Sequence, residues 1–220
     1  MLSAYERKLK LRHDARQRRR VLPLAEISAQ IMAELTAWEV FENANVILCY
    51  WPLPDEVSLR FLMESTKDTK QWYLPRVLCS ERRTMDFFLF EGASKLEKGP
   101  YGIEYPPETA QLLVPEETNI DLILVPALGL DEFGHRLGSG KGYYDRYLAK
   151  LRALGQTPVE VGICPEKLIL PNLPTDPYDV PMHWILTEQR FMKIEPKEDS
   201  PVTDKSDFAS QAQQVDESAA

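Results

Sequence analysis

The sequence predicts an α/β protein, a three-layer α/β/α sandwich with a mostly parallel, Rossmann-like sheet. Two observations predict it. Short runs of branched and aromatic residues alternate along the chain with segments of helical period. The clearest run, DLILVPALGL over residues 121–130, is apolar throughout, as expected of a strand covered on both faces. A glycine-rich loop and a helix follow it, and α/β proteins bind ligands at the carboxyl ends of such strands.

The elements read in order as follows. Residues 3–20 hold no helix breaker and read as a helix; Pro23 ends it or opens the next, which runs to about Trp38 with Leu24, Ile27, Ile31 and Leu35 at helical spacing. Val46–Tyr50 is a short buried strand that enters a proline-rich loop, and 57–66 reads as helix. QWYLPRVL and MDFFLF are strand-like from their aromatic and branched content. After the apolar run at 121–130, helix resumes near Lys141 or Gly142 and continues to about Leu154. VEVGIC is another buried strand, and WILTE is read as the last. Residues 1–195 form a single domain that includes the N-terminal helix; 196–220, with six acids against two lysines and no apolar pattern, read as an acidic disordered tail.

Composition narrows the function classes. No apolar run approaches the roughly 18 residues that span a membrane, and no apolar stretch follows the basic N-terminus as in a signal peptide. A cytoplasmic, monomeric protein with no membrane partner is the expectation. The three cysteines, Cys49, Cys79 and Cys164, are odd in number and widely spaced, so neither a disulfide framework nor a zinc site is expected, and each should pack as a small apolar residue. A net charge of -8 argues against a nucleic-acid partner. Residues 6–20 nevertheless carry eight bases against two acids, enough to hold a small anion.

Five of the ten glycines lie within residues 129–142, ending in RLGSGKGYYDRYL. Bare backbone N–H groups, a helix N-terminus and Lys141 together make a phosphate-binding candidate. The Walker pattern fails, because His135 occupies the first glycine position and Gly142 replaces the Ser/Thr. The dinucleotide pattern fails at Tyr143. From the residues alone, a plain glycine turn with a surface lysine stays open.

The stretch Asp121–Leu148 resembles the signature of the 5-formyltetrahydrofolate cyclo-ligase family: a strand ending in Val-Pro, an acid before the loop, Arg-Leu-Gly-x-Gly-x-Gly, then Tyr-Tyr-Asp. KLKLR at 8–12, YWPLPDEVS at 50–58 and LPTDPYDVPMHWILTE at 173–188 resemble three further family segments in the same order. Tyr178 and His183 depart from it; the first stands where the family often has His, the second where many members carry an acid.

The resemblance implies conversion of 5-formyltetrahydrofolate to 5,10-methenyltetrahydrofolate with ATP and Mg2+. The formyl oxygen would attack the γ-phosphate, N10 would close the ring, and ADP and phosphate would leave. Such chemistry is mainly positioning and charge stabilisation. It implies that Lys8 and Arg12, on one helix face, bind phosphate, and that Arg136, Gly138, Ser139, Gly140, Lys141, Gly142, Tyr143 and Tyr144 surround the ATP. Lys141 would stabilise the transferring phosphoryl group, with Arg136 as a second clamp or a structural ion-pair partner. Trp51, Glu56 and Tyr143 would contact the folate. Asp145 and Asp179 would ligate Mg2+. On residue type alone, Lys8 and Arg12 also suit a solvated basic face, Asp145 a helix-dipole acid, Trp51 a core aromatic and Tyr144 either the ATP side or the core. Arg7, Arg18, Arg19 and Arg20 are expected at the solvated surface, Asp131 to organise the turn LDEFG, and Arg146 to be structural.

Overall fold

The computed structural model describes residues 3–99 and 103–195. The chain opens with α1 (Ala4–Arg19), whose start is set by a reciprocal cap: the Ser3 hydroxyl accepts from the Glu6 N–H, and the Glu6 carboxylate accepts from the Ser3 N–H. This helix has no apolar stripe; its buried residues are Lys8, Ala15 and Arg19, so it docks largely through charge. Helices α2 (Leu24–Thr36) and α3 (Glu39–Asn43) precede strand β1 (Val46–Leu48), and α4 (Arg60–Thr66) follows. Then come β2 (Gln71–Cys79), β3 (Thr84–Leu89), β4 (Glu97–Lys98), β5 (Glu104–Tyr105), β6 (Leu122–Pro126), β7 (Gly129–Asp131) and β8 (Arg136–Leu137). Helix α5 (Tyr143–Ala153) leads to β9 (Val159–Ile163), β10 (Ile169–Leu170), β11 (Trp184–Leu186) and β12 (Phe191–Lys193).

The central sheet has seven strands in the order β12-β11-β9-β6-β1-β2-β3. The five inner strands are mutually parallel, and the edge strands β12 and β3 run antiparallel to their neighbours. Alternation along the strands divides the core in two. Leu48, Tyr73, Ile123 and Val125 face a core shared with Tyr147, Leu148 and Leu151 of α5. Ile47, Trp72, Leu122, Leu124 and Val161 face the opposite core, with Ile27, Ile31 and Leu35 of α2 and Leu62 of α4. This is the expected three-layer arrangement.

Four expectations are corrected. The run 121–130 is two strands: the chain leaves the main sheet after Pro126, and β7 pairs in a separate small sheet with β8 and β10. Residues 57–59 lie outside α4. WILTE is not last, because β12 adds an antiparallel edge to β11. Cys79 is only partly buried, its sulfur accepting from the Arg82 N–H at 3.4 Å, whereas Cys49 and Cys164 are fully buried. The expected acidic tail lies outside the described residues. Among the described residues no helix is long and apolar enough to cross a membrane.

Candidate active site

The glycine-rich loop joins β8 to α5, and α1 lies against it. Gly140 sits at φ +100, and a Cβ there would come within 3.1 Å of the Arg12 guanidinium carbon. Glycine therefore lets Arg12 close on the loop, where its Nε donates to the Gly138 carbonyl at 2.9 Å. Arg136 turns inward, its side chain only 6% exposed; Nη2 donates to Asp145 Oδ1 at 3.0 Å, and Cζ lies 5.5 Å from the Tyr144 ring centroid. The Arg136 Nε and the Tyr144 hydroxyl are buried without a hydrogen-bond partner among the described residues. Buried polar atoms are rarely left so, and the Tyr147 hydroxyl in the core beneath α5 is in the same state. Burial pushes the Tyr144 phenol well up, so it stands there as a neutral O–H.

A second cluster adjoins the loop. Lys8 Nζ lies 2.6 Å from both Asp176 Oδ2 and Asp179 Oδ2. Burial disfavours its charge, but the two carboxylates outweigh that, holding the ammonium above its ordinary range. Asp145 Oδ1 also lies 3.5 Å from the Val180 N–H, which brings Asp145 beside the Asp179 segment. Asp145 Oδ2 and Asp179 Oδ1 accept no hydrogen bond among the described residues. Two carboxylates with one spare oxygen each suit Mg2+, which takes few protein ligands and completes its shell with phosphate and water. Among the described residues no group of three metal-ligating side chains converges, so phosphate oxygens would have to supply part of the shell.

The third part lies beyond β1, where the chain passes from Tyr50 through Trp51 into the loop 52–56. Trp51 is buried against Phe90, its Nε1 donates to Glu104 Oε2 at 2.8 Å, and the Arg60 guanidinium covers its ring at 4.4 Å. Pro52, Leu53, Arg60, Lys98 and Glu104 join it around an open cleft of about 270 Å³. Glu56 is held within the loop by the Leu53 N–H at 3.1 Å, with Arg19 Nη1 3.8 Å from its other oxygen. Burial raises the Glu56 carboxyl above the usual range, and the Leu53 N–H and Arg19 oppose that rise.

The structure thus gathers Arg12, Arg136, Gly138, Gly140, Tyr144 and Asp145 at one loop, joined by Lys8 and Asp179 through α1 and the 176–180 segment. Ser139 and Lys141 are exposed on that loop, and Lys141 forms no ion pair among the described residues. Gly142 precedes α5 in the left-handed region, and Tyr143 is partly buried against the α5-side core. Trp51 and Glu56 belong to the cleft-side loop. Asp131 does organise its turn, accepting from the Phe133 and His135 N–H groups at 3.0 Å. Arg146 lies within α5 as expected and is exposed, with no ion pair among the described residues. Arg19 is the clear correction: it is buried and paired with Asp55 at 2.6 Å, not solvated. Sequence reading also missed Asp176, Arg60 and Glu104. Only Asp176 carried a signal, lying three residues before Asp179 in the same proline-rich segment.

Comparison with known proteins points one way. The model of the 5-formyltetrahydrofolate cyclo-ligase family matches residues 4–188. A Schizosaccharomyces pombe protein named "Probable 5-formyltetrahydrofolate cyclo-ligase" is 30% identical over 172 residues, 74% of this chain and 82% of that one. The mouse 5-formyltetrahydrofolate cyclo-ligase is 29% identical over 190 residues, covering 81% and 92%. The solution structure of 5,10-methenyltetrahydrofolate synthetase from Aquifex aeolicus superposes with a TM-score of 0.73 at 26% identity, over 90% of this chain and 97% of that one.

Proposed function

This chain belongs to the 5-formyltetrahydrofolate cyclo-ligase family, and from that premise we propose that it converts 5-formyltetrahydrofolate to 5,10-methenyltetrahydrofolate, using ATP with Mg2+. The observation that carries the reading is a cation-lined glycine loop beside a carboxylate pair, with Glu56 near enough to Tyr144 of α5 to interact with it electrostatically. A formamide oxygen is a poor leaving group, so it must be activated. Its attack on the γ-phosphate forms the O–P bond and expels ADP. The N10 lone pair then adds to the formyl carbon, the C–O bond breaks with loss of phosphate, and N10 gives up its proton.

The residues divide this work. Arg12 and the loop backbone orient the triphosphate, and Lys141, exposed and unpaired among the described residues, is free to reach the transferring group. Asp145 and Asp179 are the residues to hold Mg2+, which would neutralise phosphate charge. Lys8 and Arg136 now lie on those carboxylates, and incoming phosphates offer both cations a second set of anions. Glu56 accepts from folate N–H groups, and Trp51 forms the apolar wall of the cleft beneath the Arg60 guanidinium. The proposed protein acts on these small molecules as a cytoplasmic monomer.

The test mixes purified protein, ATP, Mg2+ and 5-formyltetrahydrofolate and follows the near-ultraviolet absorbance of the methenyl product. A rise that needs all three supports the proposal; folded protein that binds both substrates without a rise makes it a binding protein instead. Trp51→Ala should weaken folate binding by on the order of tenfold, the worth of one aromatic contact at the cleft wall, and leave the ATP KM unchanged. Unaltered folate affinity, measured by calorimetry, removes Trp51 from the site.

A further inference from the structure

Three arginines in a row end α1, and the structure separates them. Arg18 and Arg20 are exposed, whereas Arg19 is only 5% exposed. Its Nε and Nη2 lie 3.2 and 2.6 Å from Asp55 Oδ2, and its Nη1 lies 3.8 Å from Glu56 Oε1. With the Leu53 N–H on Oε2, both Glu56 oxygens have a fixed neighbour. The other groups facing Glu56 do not supply positive charge. Asp55, on the same loop, raises its carboxyl, and the Tyr50 and Tyr144 hydroxyls, from the end of β1 and from α5, are kept neutral by burial. Arg136 stands beyond the Tyr144 ring and is paired with Asp145.

We propose that Arg19 is a positioning residue for the folate side of the site: its guanidinium seats the loop bearing Asp55 and Glu56 and keeps the Glu56 carboxylate aimed and ionised for the substrate. This rests on the folate reading of Glu56. Arg19 uses three separate nitrogens, Nε and Nη2 on Asp55 and Nη1 toward Glu56, a rigid spread of donors that the single ammonium nitrogen of a lysine does not reproduce. Arg19 also lies on the helix that carries Arg12 and Lys8, seven and eleven residues earlier, or about 10 and 16 Å along the axis. One rigid element is thereby pinned to the phosphate loop near one end and to the folate loop at the other.

The experiment compares wild type, Arg19→Met, Arg19→Lys and Glu56→Gln, each checked for folding by circular dichroism and thermal melting. The KM for each substrate and the pH profile of kcat/KM are measured. Arg19→Met should raise the folate KM by on the order of tenfold or more, as expected for loss of a charged hydrogen-bond partner, while the ATP KM stays within about twofold. The sign of the pH effect follows from burial. Glu56 already ionises at higher pH than an ordinary carboxylate, and without Arg19 it should ionise higher still. Activity that needs the carboxylate is then lost sooner as pH falls, so the acidic limb moves up. Arg19→Lys should return the limb toward wild type while keeping a raised KM, and Glu56→Gln should remove that limb. If Arg19→Met does not fold, Arg19→Lys alone decides, since an unchanged folate KM there overturns the role of the fork. An unmoved limb in Arg19→Met, or equal losses for both substrates, overturns the inference while wild-type turnover leaves the proposed reaction standing. No wild-type turnover, or a Glu56→Gln variant with normal folate affinity, overturns the folate reading itself.

Discussion

Lys141→Ala is expected to lower kcat by on the order of 10²–10³, the usual cost of removing one preorganised stabiliser of transition-state charge. Folate affinity should stay near wild type, because the charge matters as the phosphoryl group transfers and little before. The structure sharpens this expectation by contrast with the other cations. Lys8 already faces two carboxylates at 2.6 Å, Arg136 faces Asp145 at 3.0 Å, and Arg12 is tied to the Gly138 carbonyl. Lys141 alone of the four is exposed, with no hydrogen bond or ion pair among the described residues. Rapid-quench measurement of the chemical step, with folate binding measured separately, checks the prediction. Unchanged turnover would take Lys141 out of phosphoryl transfer.

Gly134→Ala is expected to have the largest effect on stability. Gly134 sits at φ +82, and a Cβ there would lie 2.6 Å from the Met182 carbonyl oxygen. The neighbour is backbone, so no side chain can rotate away. A left-handed conformation costs an L-residue about 1–2 kcal/mol, and forcing a buried backbone apart costs about 1–3 kcal/mol more. For a chain of this size each kcal/mol lowers Tm by about 2–4 °C, so a loss of about 4–20 °C is expected in calorimetry. Gly134 accepts from the Met182 N–H at 2.9 Å, in the segment that follows Asp176 and Asp179. Folded variant protein should therefore also lose activity. A melting point within about a degree of wild type would show that the turn relaxes freely.

Legibility in the sequence followed what the physics makes local. Strands β1 and β6 are covered on both faces, so they read as apolar runs whatever their neighbours are, and β9 departs from that only at Glu160, buried against Arg152. The glycine loop was legible because bare backbone is a property of the residues themselves. Edge strand β12 and the two-residue strands β8 and β10 were not, because short, partly exposed strands carry too few residues to show a period. The break after Pro126 was hidden for a different reason. Apolar residues continue across it, and only pairing with β8 and β10 shows that the chain has changed sheets.

By itself, then, the sequence determined the layered α/β class, the placement of the glycine loop between a strand and a helix, and the family to which those motifs belong. Each is written in residue type and short-range spacing. Only the tertiary structure decided which charges meet. Arg18, Arg19 and Arg20 are indistinguishable as letters, yet one is buried against Asp55 and Glu56. Lys8 finds Asp176 and Asp179 at the far end of the chain. Ion pairing depends on distance through space and on burial, and folding sets both by packing elements that are remote in sequence.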